Sequence, residues 1–319
     1  MRSLLTLSLV TASAALLTAC GGGSSDSSTP LPVVATTQAV SIQFAAQANG
    51  KDAQCGAVNE IANLGSTNKT AEIQDLRFYV SALELVNDKG QAVAVTLDKN
   101  TNQDFGVALL DFENATGACA GGDAKTNTVI TGKIPTGTYT GIKFTLGVPD
   151  TVVDSSGNTI ILNHSNTTAI TAPLDVAAMA WSWQGGRKFA KIEFKPTGGV
   201  TNQKGTPETT DDATVTSWVV HMGATGCTGS DAAGYSCTNP NLAKVSLSSF
   251  DASKQKVVLD VPALLAQSDI SVNQNSALGC MSGTTDKECP AVFDTLGLDL
   301  LTGKVSTSKT QTVFKVINK

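Results

Sequence analysis

The polar and apolar positions of this chain alternate in short runs. Val40-Ser41-Ile42-Gln43-Phe44 places an apolar residue at every second position, the signature of a strand with one buried face. Leu76-Arg77-Phe78-Tyr79-Val80 reads the same way, as does Ile142-Lys143-Phe144-Thr145-Leu146-Gly147-Val148, which follows the turn Pro135-Thr136-Gly137-Thr138-Tyr139. Residues 105–112 form a more continuous apolar run. Further strands are predicted at 188–194, 215–222, 243–250, 255–261 and 312–316, with helical character only at 261–267 and 291–301. Short strands separated by Gly, Asn, Ser and Thr turns predict an all-β single domain, a β-sandwich or barrel-like fold. The polar stretches 196–199 and 206–212 read as loop rather than a domain boundary, and no internal repeat is visible. The domain is expected over 38–319, with a C-terminal extension from about 242 packed on it.

The N-terminus follows a different pattern. Residues 1–19 read as an export signal, with Arg2 as the positive region. Residues 4–17 form an apolar stretch too short and too rich in Ser, Thr and Ala to span a membrane. It ends in Leu17-Thr18-Ala19-Cys20, and small residues before a cysteine resemble the bacterial lipobox, in which that cysteine is lipidated and begins the mature protein. Residues 20–37 are then the lipidated Cys20 and a flexible, Gly- and Ser-rich tether. No Asp follows Cys20 as a retention signal. The expectation is an outer-membrane lipoprotein, facing the periplasm or the cell surface and held to the membrane by its lipid alone.

Composition narrows the function. The 319 residues carry a formal net charge of −5 with no basic run, which speaks against a nucleic-acid-binding surface. The apolar share of 41% is too high for a disordered chain. There are seven cysteines, and setting Cys20 aside leaves Cys55, Cys119, Cys227, Cys237, Cys280 and Cys289. An even number in an exported chain suggests disulfides. Many pairings are open, but close spacing favours Cys227 with Cys237 and Cys280 with Cys289, leaving Cys55 and Cys119. A thiolate metal site competes with this reading, without a Cys-x-x-Cys to support it and in an oxidising compartment.

The chain has two histidines, so a His-rich zinc site is excluded and any imidazole chemistry rests on His164 and His221. His164 lies in the polar loop Leu162-Asn163-His164-Ser165-Asn166. His221 ends the strand predicted at 215–222, where Val215, Ser217, Val219 and His221 share one face and Trp218 takes the other. Trp181 and Trp183, two of three tryptophans, precede a Gly-Gly pair; in a strand they would project to one side. Core packing and an aromatic redox or ligand-binding pair are the two readings of them.

Four segments occur in order: Asp75-Leu76-Arg77-Phe78-Tyr79-Val80-Ser81, Asn163-His164, Met179 to Phe189 with its Trp-x-Trp-Gln-Gly-Gly, and Val220-His221-Met222-Gly223-Ala224-Thr225-Gly226-Cys227. With the cysteine pattern they closely resemble the MbnP-like family of exported copper-binding proteins, also described as the four-Cys member of the metallo-mystery pair. The resemblance spans about residues 40–237. It implies a periplasmic or outer-membrane-associated β protein that binds copper and is not itself an enzyme. It also implies a partner, a diheme cytochrome-c-peroxidase/MauG-like enzyme that oxidises a tryptophan of the protein to kynurenine. Carried over by residue, His164, His221, Trp181 and Trp183 match the metal-site positions, one tryptophan being the kynurenine precursor. Cys55, Cys119, Cys227 and Cys237 match the four cysteines.

This chain departs from the family pattern in three places. Met222 and Ala224 stand where the family has Leu and Ser, Arg187 stands where it has Tyr, and the Cys280/Cys289 region is an addition. The implied role is copper acquisition or homeostasis. Neutral imidazole suits copper, whereas unmodified indole is a poor ligand, so copper binding is expected to depend on the oxidation. Met179 and Met222 offer soft contacts to Cu(I), although packing is the plainer role.

The alternative is a carbohydrate- or calcium-binding surface lectin-like module, suited by exposed tryptophans, Asn-rich loops and acidic balance. It lacks an Asp-x-Asp-x-Asp-Gly calcium loop. A hydrolase lacks both Gly-x-Ser-x-Gly and His-Glu-x-x-His.

Overall fold

The alternating runs close against each other as two β-sheets. The structure, a computed structural model, describes residues 36–56, 61–164, 170–182, 185–206, 212–230 and 232–319. The predicted export signal, Cys20, nearly all of the tether and Trp183 lie outside the described residues.

In the first sheet, Thr37–Ala48 pairs antiparallel with Val129–Pro135 and parallel with Gln255–Asp260, which in turn pairs with Phe314–Asn318. The second sheet is organised by one 19-residue strand, Lys69–Asn87. Its first half pairs with Lys188–Pro196 and its second with Tyr139–Leu146. Val107–Asp111 pairs along its middle. Trp218–Gly223 lies beyond Lys188–Pro196, and Ala243–Ser248 lies beyond Tyr139–Leu146. Both sheets turn their apolar alternates inward. Phe44 of the first meets Phe144 of the second edge-on at 5.6 Å between ring centres, and Phe314 meets Phe144 at 5.2 Å and Phe78 at 5.8 Å. The expected all-β sandwich is therefore the fold. Edge-on rings of this kind add about 1 kcal/mol per pair beyond their burial.

Two sequence expectations shift. The strand predicted over 215–222 breaks at residues 216–217. Ala213–Val215 pairs with Val200–Gln203 in a small sheet, while Trp218–Gly223 joins the large one with Trp218 opposite buried Phe194. Packing of Trp218 into the core sets the break, since no single straight strand serves both sheets. The helix expected at 291–301 runs over Cys289–Thr295, with Pro290 in its first turn. The first helix, Val261–Leu265, starts where predicted, capped by the Asp260 side chain accepting from the Ala263 N–H. Residues beyond 242 contribute strands to both large sheets.

The disulfides are Cys55–Cys119, Cys227–Cys237 and Cys280–Cys289, the pairing that spacing favours.

Asp111 gives the fold a measurable pH dependence. Burial pushes its carboxyl up to about 7, against the nearby Arg77 charge. The native state thus keeps a proton that the unfolded chain gives up near pH 4. Stability from this group is complete below that value and is lost as pH rises toward 7. Glu193 works in a lower window, because its native value of about 2 makes stability fall only as pH drops through the usual carboxylate range. Asp111→Asn should flatten the fall in melting temperature between pH 4 and 7 and raise it above pH 7. A calorimetric pH series that keeps the parent slope would refute this reading.

Candidate metal site

The site forms on the outer face of the large sheet, the side turned away from the aromatic core. Register places Arg77, Lys191 and His221 across three neighbouring strands, with Asp75, Glu193 and Val219 in the row beside them. Cross-strand neighbours are close enough for charges to pair. Asp75 receives bonds from both Arg77 and Lys191. Lys191 also lies 2.9 Å from Glu193 Oε1, and His221 Nε2 lies 2.7 Å from that same oxygen. Asp75, Arg77 and His221 are buried, and Glu193 and Lys191 are half-buried. Partnership makes such burial tolerable.

The pairing also sets the charge states. Burial works to raise the Glu193 carboxyl, but hydrogen bonds and charge from His221 and Lys191 outweigh it and hold it at about 2. Burial pushes the His221 imidazole below its ordinary value, against the pull of Glu193. At neutral pH the pair is therefore a carboxylate and a neutral imidazole. A carboxylate only accepts, so the shared hydrogen belongs to His221 Nε2.

A segment over this face brings in Trp181. A short 3-10 turn, Ala177–Met179, precedes it, and an isolated bridge between Ala180 and Arg187 closes the loop. Trp181 is therefore in a loop and not in the strand that its sequence suggested, because the backbone leaves the sheet to cross its face. It is only 4% exposed and its ring lies 6.2 Å from that of His221, inclined at 65°. Lys188 Nζ stands 5.7 Å from the Trp181 ring centre and donates to Ala178 O. Burial lowers the Lys188 amine below its ordinary value.

His164 is 3% exposed, and not at the surface as its polar loop implied. Its neighbour Asn163 explains this. The Asn163 amide donates to Asp150 Oδ1, and its oxygen accepts from the Arg187 N–H. Arg187 Nε donates to Leu162 O. The departure at position 187 thus supplies a buried guanidinium that ties the His164 loop to the Trp181 loop. Gly186 permits the approach: φ is +96°, and a Cβ there would stand 2.8 Å from Asn163 Oδ1.

The segment around Cys280, which the sequence set apart as an addition, also acquires a place. His221 N–H donates to Cys280 O, Cys280 N–H donates to Val219 O, and Ser282 Oγ donates to His221 O. Residues 280–282, held by the Cys280–Cys289 bond, cover the free edge of the His221 strand.

Sequence reasoning thus selected His164, His221 and Trp181, and all three are buried: His221 lies against the Trp181 ring, and the His164 loop is tied to the Trp181 loop through Arg187; Trp183 lies outside the described residues. It missed Glu193, Lys191 and the structural use of Arg187. Their signal was the charged half of the 188–194 alternation, opposite Asp75 and Arg77 in the first family motif. Among the described residues no group of three or more His, Cys, Asp or Glu gathers to hold a metal ion. Burial of Trp181 also removes it as an exposed platform for a sugar ring, against the lectin reading.

Gly223 tests the packing. A Cβ there would stand 2.5 Å from Arg187 O and 2.7 Å and 2.8 Å from Trp181 Nε1 and Cζ2. The nearest atom is a backbone carbonyl, so relief requires the main chain to shift as well as the indole to move. Gly223→Ala should cost about 1–3 kcal/mol and red-shift the tryptophan emission. Unchanged emission and melting would contradict this packing.

Comparison with known proteins agrees with the motif reading. A family model described as MbnP matches residues 37–282. The solved structure of MbnP from Methylosinus trichosporium is similar at 36% identity with a TM-score of 0.77, covering 89% of this chain and 99% of that one. No curated protein sequence matches the chain.

Proposed function

The chain belongs to the MbnP family, and from that premise we propose that it is an exported copper-binding protein whose site is completed by oxidation of a tryptophan. The observation that carries the proposal is the buried contact between Trp181 and His221. Two imidazoles suit copper but leave it under-coordinated. Kynurenine bears an aryl amine and a ketone, so oxidation of Trp181 would place new donors against His221, and oxidation of Trp183 remains the second arm of the test. His221 and His164 would hold the ion. Bound copper would supply a soft, redox-active centre suited to handling the metal; turnover is no part of the proposal.

The oxidant belongs to a partner of the diheme cytochrome-c-peroxidase/MauG-like type. Cys20 would carry the lipid that holds the protein at the outer membrane. Copper acquisition or homeostasis is the role this arrangement serves.

Intact mass and peptide mapping of the chain produced with and without its diheme partner test the modification. Kynurenine has one carbon fewer and one oxygen more than tryptophan. The peptide containing Trp181 and Trp183 should therefore become heavier by that exchange, only in the partner's presence. An unchanged peptide would overturn the proposal.

A further inference from the structure

Glu193 holds one nitrogen of His221, and the consequence concerns the other. We propose that Glu193 is the positioning residue of the metal site: by accepting the His221 Nε2 hydrogen it fixes the imidazole tautomer and leaves Nδ1 as the nitrogen offered to copper. The proposal rests on the copper reading above and adds to it the donor atom and the group that selects it.

The geometry supports this from several directions. Glu193 Oε1 lies 2.7 Å from His221 Nε2 and 2.9 Å from Lys191 Nζ, so the accepting oxygen is itself pinned. Lys191 is anchored in turn on Asp75, which Arg77 holds. The backbone of His221 is fixed on both sides, its N–H to Cys280 O and its carbonyl to Ser282 Oγ. With the main chain and Nε2 both tied, the ring has little freedom to rotate. A neutral imidazole with hydrogen on Nε2 presents a lone pair on Nδ1. A carboxylate that orients a ligating imidazole in this way is a recurrent determinant of metal affinity, and its removal typically costs 10- to 100-fold.

The test compares Glu193→Gln with Glu193→Ala in the full chain. The Gln oxygen still accepts from Nε2–H, whereas Ala leaves nothing to accept it. Nitrogen-15 spectra of histidine-labelled, copper-free protein read the tautomer directly. Wild type and Glu193→Gln should show His221 protonated at Nε2, and Glu193→Ala should lose that preference while His164 resonances stay in place. After tryptophan oxidation, Cu(I) competition titration should show roughly 10- to 100-fold weaker binding for Glu193→Ala and much of the affinity restored in Glu193→Gln. Nδ1 protonation in the copper-free wild type would overturn the proposal, as would Glu193→Ala retaining both tautomer and affinity. If the tautomer is as expected but Cu(I) leaves the His221 Nδ1 resonance unmoved, the copper reading of the site fails, and the role assigned to Glu193 toward copper falls with it.

Discussion

His221→Ala should lower copper affinity of the oxidised protein by roughly 100-fold or more, and His164→Ala should do the same. The chain holds two imidazoles, so either substitution removes half of the imidazole ligands that suit copper. Loss of a ligand exceeds the 10- to 100-fold typical of losing a group that merely orients one. His221→Ala is also a clean test of the site, because it leaves Glu193 paired with Lys191 and Lys191 paired with Asp75. No buried charge is orphaned, so the stability cost should be about 2–4 kcal/mol, from the lost bond to a carboxylate and the space opened beside Trp181. Competition titration of the oxidised variants, with melting temperature as the control, separates a binding defect from unfolding. Parent-like affinity in either variant would remove that histidine from the site.

Cys55→Ser combined with Cys119→Ser should be the most destabilising of the three disulfide removals. The bond closes a 64-residue separation, against 10 for Cys227–Cys237 and 9 for Cys280–Cys289. Loop-closure entropy grows slowly with length, giving about 4 kcal/mol for the long loop and nearer 3 kcal/mol for each short one. Both partners are buried, Cys55 after the strand Thr37–Ala48 and Cys119 in the short turn Gly117–Cys119. The bond therefore ties the segment that follows a central strand of one sheet to a loop that follows a strand of the other. Denaturant midpoints of the three double-serine variants should follow that order. Equal losses for all three would show that local packing, not chain closure, sets their contribution. Cys280→Ser with Cys289→Ser should additionally loosen the segment that covers the His221 strand, and so weaken copper binding more than its stability cost implies.

The fold was legible where one face of a strand is buried. Phe44, Phe78 and Phe144 appear in the sequence as apolar alternates; in the core Phe44 meets Phe144, and Phe314 joins Phe144 to Phe78. The split at residues 216–217 was not legible, because Val215 and Trp218 each fit a strand and only the packing of Trp218 against the core distinguishes two strands from one. For the site, the motifs located His164, His221 and Trp181 but misplaced two of them. A polar loop reads as exposed, yet the Asn163 side chain carries bonds to Asp150 and Arg187 that take His164 inside. A Trp-x-Trp reads as strand, yet the 3-10 turn before it lifts Trp181 across the sheet. Glu193 and Lys191 were hidden for another reason. Alternation shows that they face outward, but not that register sets them beside Asp75 and His221, which lie 116 residues before Lys191 and 28 residues after Glu193.

Oxidation and copper binding meet in a single comparison: Cu(I) affinity of the same chain before and after tryptophan oxidation, with the modified residue confirmed by mass. The heavier form should bind one copper tightly and the unmodified form only weakly. Equal binding by the two forms, or none by the oxidised one, would contradict a site built from His164, His221 and an oxidised tryptophan.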